Sequence, residues 1–132
     1  MTLVDTNVIV DVLKADPVWL AWSSRQLMQA RRAGPLGINY VVYAELAVHD
    51  EVAHEMDGLL DEMGVVLQES SRASARLAAA AFRQYRQRGG VRTGVLPDFF
   101  IGAQAQVERC PLLTRDAARY RSYFPALELI CP

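Results

Sequence analysis

Asp5, Glu45, Asp98 and Asp116 are the residues of this chain that could do chemistry together. Asp5 follows the short apolar run Thr2–Val4, and Asp116 stands two residues beyond Leu112–Thr114, so each comes just after a segment that reads as a strand. Asp98 follows Pro97 and opens a helical pattern, while Glu45 lies in the first turns after Leu36–Asn39. Each Asp also suits a simpler role, the N-cap that accepts a backbone N–H at a strand-to-helix junction. Glu45 has no such role, because it sits among Tyr43, Ala44, Leu46, Ala47 and Val48, where an unpaired carboxylate is costly to bury. Four carboxylates in one crevice repel by about 3 kcal/mol per pair at ~5 Å and an effective dielectric of ~20. Apart from His49, no Lys, Arg or His lies within several residues of Asp5, Glu45 or Asp98. A hard divalent cation with oxygen ligands, Mg²⁺ or Mn²⁺, is therefore the natural compensation. Such an ion turns water into a nucleophile and stabilises a pentavalent phosphoryl centre, with no need of a catalytic His or Ser.

The elements that must position these acids alternate in type. Thr2–Val4, Leu36–Asn39, Gly64–Leu67, Leu112–Thr114 and Leu127–Ile130 read as short buried strands. Helical spacing runs from Thr6, and over Val18–Arg32, Glu51–Glu62, Ser71–Arg88 and Asp98–Arg109, with a short helix from Ala117. Parallel neighbours need crossovers and helices supply them, so the pattern predicts an α/β fold: a doubly wound, three-layer α/β/α sandwich around a mostly parallel sheet. In that fold all four acids lie at the carboxyl edge of the sheet, where ligands of open α/β sheets bind. Cys110 precedes one strand and Cys131 follows another, which sets them at opposite edges, too far apart to bridge. No repeat or linker divides the chain, so residues 1–132 read as a single domain.

With 132 residues and 52% hydrophobic content the chain can bury a real core, which excludes a disordered protein. No apolar run reaches the ~18–20 residues of a membrane span, and two cysteines make no disulfide framework. The expectation is a cytoplasmic protein with no membrane role. The formal net charge is only −1, but residues 1–69 hold eleven Asp or Glu against four Lys or Arg, and residues 70–132 hold four against ten. Such asymmetry suggests a charged partner. Arg72, Arg76, Arg83 and Arg86 share one helical stripe, and Arg88 and Arg92 lie in a Gly-rich loop just before Asp98. These residues form either a solvated face or a surface that holds the phosphates of a nucleic acid. Asp50, Glu51, Glu55, Asp57, Asp61 and Glu62 read as an exposed helix face. Trp19, Trp22 and Leu27 offer apolar surface for a partner, with at least one Trp expected in the core.

The segment Leu3-Val4-Asp5-Thr6-Asn7-Val8-Ile9-Val10-Asp11, the step Tyr43-Ala44-Glu45-Leu46, the helix opening Pro97-Asp98-Phe99-Phe100-Ile101-Gly102-Ala103-Gln104-Ala105 and the run Leu112-Leu113-Thr114-Arg115-Asp116 together resemble a PIN-domain nuclease. More narrowly, they resemble the VapC-type toxin ribonucleases of bacterial toxin–antitoxin pairs, over essentially the whole chain. The resemblance implies that Asp5 and Asp98 are the principal Mg²⁺ ligands, that Glu45 and Asp116 complete a catalytic quartet, and that Thr6, Asn7 and Thr114 support it. It also implies a homodimer, a small VapB-like antitoxin whose tail blocks the site, and a structured RNA substrate, tRNA or rRNA. Arg83, Arg86, Arg88, Arg92 and Arg115 are the expected RNA contacts.

Other functions fit less well. Metal-free acid–base cleavage by His49 and His54 is disfavoured, because residues five apart on a helix point away from each other. An aspartyl phosphotransferase would want a second Asp and a Lys near Asp5, but position 7 is Asn and the single Lys is Lys14. A noncatalytic binding module gains nothing from four mutually repelling acids. A PIN-like nuclease outside toxin–antitoxin systems remains a further alternative.

Overall fold

The computed structural model describes residues 1–49, 53–92 and 94–132. Five short strands, β1 (Thr2–Val4), β2 (Leu36–Asn39), β3 (Val65–Gln68), β4 (Leu112–Leu113) and β5 (Leu129–Ile130), form one sheet in the order β3-β2-β1-β4-β5. Every pairing is parallel. Burial follows position in the sheet. All residues of β1, β2 and β4 are buried, while the edge strands β3 and β5 keep half-exposed or exposed positions. This is why the central runs are continuously apolar rather than alternating.

Among the described residues seven helices fill the crossovers: α1 (Thr6–Leu13), α2 (Leu20–Ala33), α3 (Tyr40–Ala47), α4 (Met56–Met63), α5 (Arg72–Gln87), α6 (Leu96–Glu108) and α7 (Ala118–Tyr123). The expected helix over Glu51–Glu62 is seen as α4, and residues 51–52 of it lie outside the described residues. Right-handed crossovers send α1 to α4 to one face and α5 to α7 to the other, giving the expected three layers. α1 packs on α2 and α3, α6 packs on α5 and α7, and α3 also meets α6. The strand expected from Gly64 begins one residue later because Gly64, with φ of 69°, is the left-handed cap of α4.

The core joins Leu3, Val8, Ile9, Leu36, Ile38, Leu112 and Leu113 to Phe99, Tyr120 and Phe124. On the second face Phe82, Tyr85, Phe99, Tyr123 and Phe124 make an aromatic cluster, with Phe99 and Tyr123 ring centres 5.1 Å apart. Neither Trp is fully buried, although Trp22 packs against the core. Trp19 and Trp22 are both half-buried and meet edge to face at the start of α2, where the chain has turned toward solvent after Asp16 caps the turn at Val18 and Trp19. Both cysteines are free. No helix among the described residues is long and apolar enough to cross a membrane.

Candidate active site

The sheet order reverses direction at β1, and the crevice between the carboxyl ends of β1 and β4 is where such a sheet opens to a ligand. Asp5 and Thr114 are the residues that follow these two strands. The Asp5 N–H donates to Leu113 O at 2.9 Å, which continues the ladder one step and clamps the two strand ends together. Above them is a cavity of about 230 Å³ lined by Asp5, Thr6, Asn7, Val10, Glu45, Asp98, Asp116, Arg119 and Tyr120. All four acids singled out from the sequence therefore border one space, and each comes from a different part of the chain.

None of the three Asp residues caps a helix through its side chain. Asp5 occupies the cap position of α1 but makes no cap bond with its side chain. Asp98 is the third residue of α6, whose cap position is Val95, and Asp116 precedes Ala117, the cap residue of α7. The simpler role is thereby removed at all three positions. Asp5, 5% exposed, instead receives three side-chain donors on Oδ2: the Thr114 hydroxyl at 2.7 Å, the Tyr120 hydroxyl at 3.0 Å and Asn7 Nδ2 at 3.1 Å. None of the three reaches Oδ1. Asn7 also donates to Thr114 Oγ1 at 3.3 Å, and its Oδ1 accepts the Arg115 N–H at 3.3 Å, so α1 and the turn after β4 are laced together around this carboxylate.

Burial pushes the Asp5 carboxyl above the usual carboxylate range, against the pull of Thr114 and Tyr120 and with help from the Asp98 charge. Glu45 is raised by burial and by Asp5, and Asp98 by burial despite an opposing Arg119. Burial and the Asp5 charge also drive the Tyr120 hydroxyl well above its ordinary value, so it stays a donor. Glu45 Oε1 and Thr6 Oγ1 are both buried, and Thr6 pulls the Glu45 carboxyl down against the effect of burial. A buried carboxylate oxygen that feels the charges of Asp5 and Asp98 is an acceptor suited to a cation.

The donor chemistry, all oxygen, fits a hard divalent ion. As the side chains stand, no three of the described His, Cys, Asp and Glu residues are grouped to hold one. Asp98 is engaged by Arg119 Nη1 through its Oδ2. The positive group that the nearest sequence neighbours lack thus comes from position 119. Arg119 and Tyr120 are the two site residues that sequence reasoning missed. The signal open to it was spacing: both fall within a turn of Asp116, on a helix that starts at the same sheet edge.

The basic residues divide. Arg83, Arg86, Arg88 and Arg92 are exposed, and Arg88 lies over the Tyr123 ring at 5.1 Å. The opposite side of α5 is the buried one, through Ser74, Ala78 and Ala81, so the arginine stripe faces outward. None of these four lines the acid cavity. Arg115 is turned onto Asp11, with Nε 2.9 Å and 3.1 Å from the two carboxylate oxygens, and over the Trp19 ring at 5.5 Å.

A family model described as the PIN domain matches residues 2–124. No curated protein sequence matches the chain. Among solved structures, VapBC2 from Rickettsia felis bound to a promoter DNA fragment is similar, with a TM-score of 0.75 at 17% identity over 99% of this chain and 98% of that one. VapBC-1 from nontypeable Haemophilus influenzae gives a TM-score of 0.73 at 15% identity, covering 98% of this chain and 96% of that one. FitAcB from Neisseria gonorrhoeae gives 0.68 at 19% identity with the same coverage. At these identities the likeness is one of fold.

Proposed function

The chain belongs to the PIN-domain family, and from that premise we propose that it is a divalent-metal-dependent endoribonuclease, the toxin of a toxin–antitoxin pair. The observation that carries this reading is the convergence of Asp5, Glu45, Asp98 and Asp116 on one cavity, with the carboxyls of Asp5, Glu45 and Asp98 raised. These residues would hold Mg²⁺ or Mn²⁺, which when bound supplies an activated water and charge stabilisation at the phosphoryl group. The chain's own contribution is rigidity and charge. Thr114, Tyr120 and Asn7 fix the orientation of the Asp5 carboxylate through one of its oxygens. Arg83, Arg86, Arg88 and Arg92 supply exposed positive charge on the flank, suited to holding an RNA backbone rather than reading its bases.

The reading extends to partners. The similar structures are VapBC and FitAcB assemblies, one of them on promoter DNA, which supports a VapB-like antitoxin as partner here. A homodimer and a structured RNA substrate, tRNA or rRNA, whose cutting would inhibit translation, complete the proposal.

Incubating purified protein with total cellular RNA, in Mg²⁺, in Mn²⁺ and in chelator, tests it against Asp98→Asn. Discrete fragments that require both metal and Asp98 are expected, and their ends nominate the target. Cleavage that persists in chelator would exclude the metal mechanism. Absence of cleavage by the antitoxin-free protein would favour a noncatalytic binding module on the same fold.

A further inference from the structure

We propose that Arg119 is a substrate-phosphate-binding residue of this site, held on Asp98 until a divalent cation takes over that carboxylate. The inference rests on the metal-dependent nuclease reading and assigns a role to a residue which that reading leaves idle.

Arg119 is the one cationic side chain among the residues lining the acid cavity. It holds Asp98 through Nη1 alone, and the two side chains are 29% and 32% exposed. Arg115, four residues earlier, is the contrast: its own side chain is 32% exposed, but its partner Asp11 is 1% exposed, both carboxylate oxygens receive Nε, and the guanidinium lies 5.5 Å from the Trp19 ring centre. Arg115 is locked, whereas the Arg119 pair is a partly solvated contact of the kind that contributes little. A divalent ion carries twice the charge and prefers carboxylate oxygen, so it outcompetes a guanidinium for Asp98.

Once displaced, the guanidinium has a use. An RNA phosphodiester that approaches Asp5, Glu45, Asp98 and Asp116 meets like charge on every side. Arg119, the second residue of α7 and at the cavity wall, offers a fork of donors that matches two phosphate oxygens. The arginines of the α5 stripe do not reach this space, so they position the backbone outside it while Arg119 meets the phosphate at the acids.

Arg119→Gln and Arg119→Lys test the idea with two readouts that need no turnover. In calorimetric titration with Mg²⁺ and no RNA, Arg119→Gln should bind the ion roughly threefold or more tightly than wild type, because a competing partner is gone. Binding of a fluorescent oligouridylate, with Ca²⁺ in place of Mg²⁺ and the RNA shown intact on a gel, should weaken in the same variant. Its slope of log affinity against log salt should shrink by ~0.7, one single-strand phosphate contact. Arg119→Lys should restore the slope but only part of the affinity. Shifts of opposite sign for ion and RNA support the proposal, whereas both weakening, or either unchanged, overturns it. A wild type that takes up no Mg²⁺ overturns the metal reading itself, and a wild type that binds Mg²⁺ as tightly as Arg119→Gln overturns only the role of Arg119.

Discussion

A carboxylate that is 1% exposed depends on its partners for every hydrogen bond that water would otherwise supply. Asp11 has three such contacts: two from Arg115 Nε and one from the Ser23 hydroxyl at 2.8 Å. Truncating Arg115 leaves a buried charge with one neutral donor, and breaking a buried pair in this way costs about 3–5 kcal/mol. Arg115→Ala should therefore lose that much in urea unfolding, while Asp11→Asn with Arg115→Met, which removes both charges, should lose clearly less. If Arg115 instead spent its charge on RNA, Arg115→Ala would melt like wild type and bind RNA with a reduced salt slope. The same side chain shows what a sequence reading of basic residues leaves open. Arg115 stands beside Asp116 and invites a phosphate role, but Asp11 lies on α1, one turn beyond Asn7, and only the fold reveals that α1 and the β4–α7 turn face each other.

At the scale of elements, the position of Asp5 depends on how closely α6 and α7 approach. Gly102 of α6 makes that approach possible, since a Cβ there would stand 2.7 Å from Phe124 ring carbons and 3.0 Å from Tyr120 Cδ1. Phe124 and Tyr120 are buried at 1% and 2% exposure and cannot swing aside. Gly102→Ala should accordingly cost about 1–3 kcal/mol of stability by overpacking. It should also reduce cleavage in protein that remains folded, because Tyr120 carries one of the three donors to Asp5. A variant with wild-type stability and activity would show that α6 and α7 have slack. Strands, helices and the shared edge of the four acids were legible in the sequence, because short apolar runs and helical spacing are local and the handedness of crossovers does the rest. Tyr120 and Arg119 were not. Which side of a six-residue helix meets the end of β1 is decided by the contact between α6, α7 and the sheet, and a lone Gly in a helix does not say what rests on it.

For the whole molecule, the raised carboxyls link folding, protons and metal. Asp5, Glu45 and Asp98 stand above their ordinary values of 3.8, 4.5 and 3.8, first because of burial. The folded chain thus binds protons at these groups more strongly than the unfolded chain does. Their favourable contribution is fully present below those ordinary values and is lost as pH rises through the raised folded ones, so at neutral pH the metal-free site opposes folding. Removing metal and lowering the pH from neutral toward the ordinary carboxylate range should raise the melting temperature through these three groups. Asp16, held low by the Trp19 and Val18 N–H groups, works in the opposite direction. Subtracting the profile of Asp5→Asn from that of wild type reads the share of Asp5 together with the part of the Glu45 shift that the Asp5 charge causes, since Asn still offers an acceptor to Thr114 and Tyr120 but has no charge to titrate. Saturating Mg²⁺ should reverse the picture. An ion bound only by the folded state adds about 2.7 kcal/mol at a hundred times its dissociation constant. That gain should be largest at neutral pH and fade on acidification, as protons compete for the same oxygens. Scanning calorimetry across pH, with Mg²⁺ and with chelator, reads both slopes at once. Parallel profiles with and without the ion would mean that these carboxylates do not share a cation, and Arg119 would then be the counter-charge of the acidic cavity.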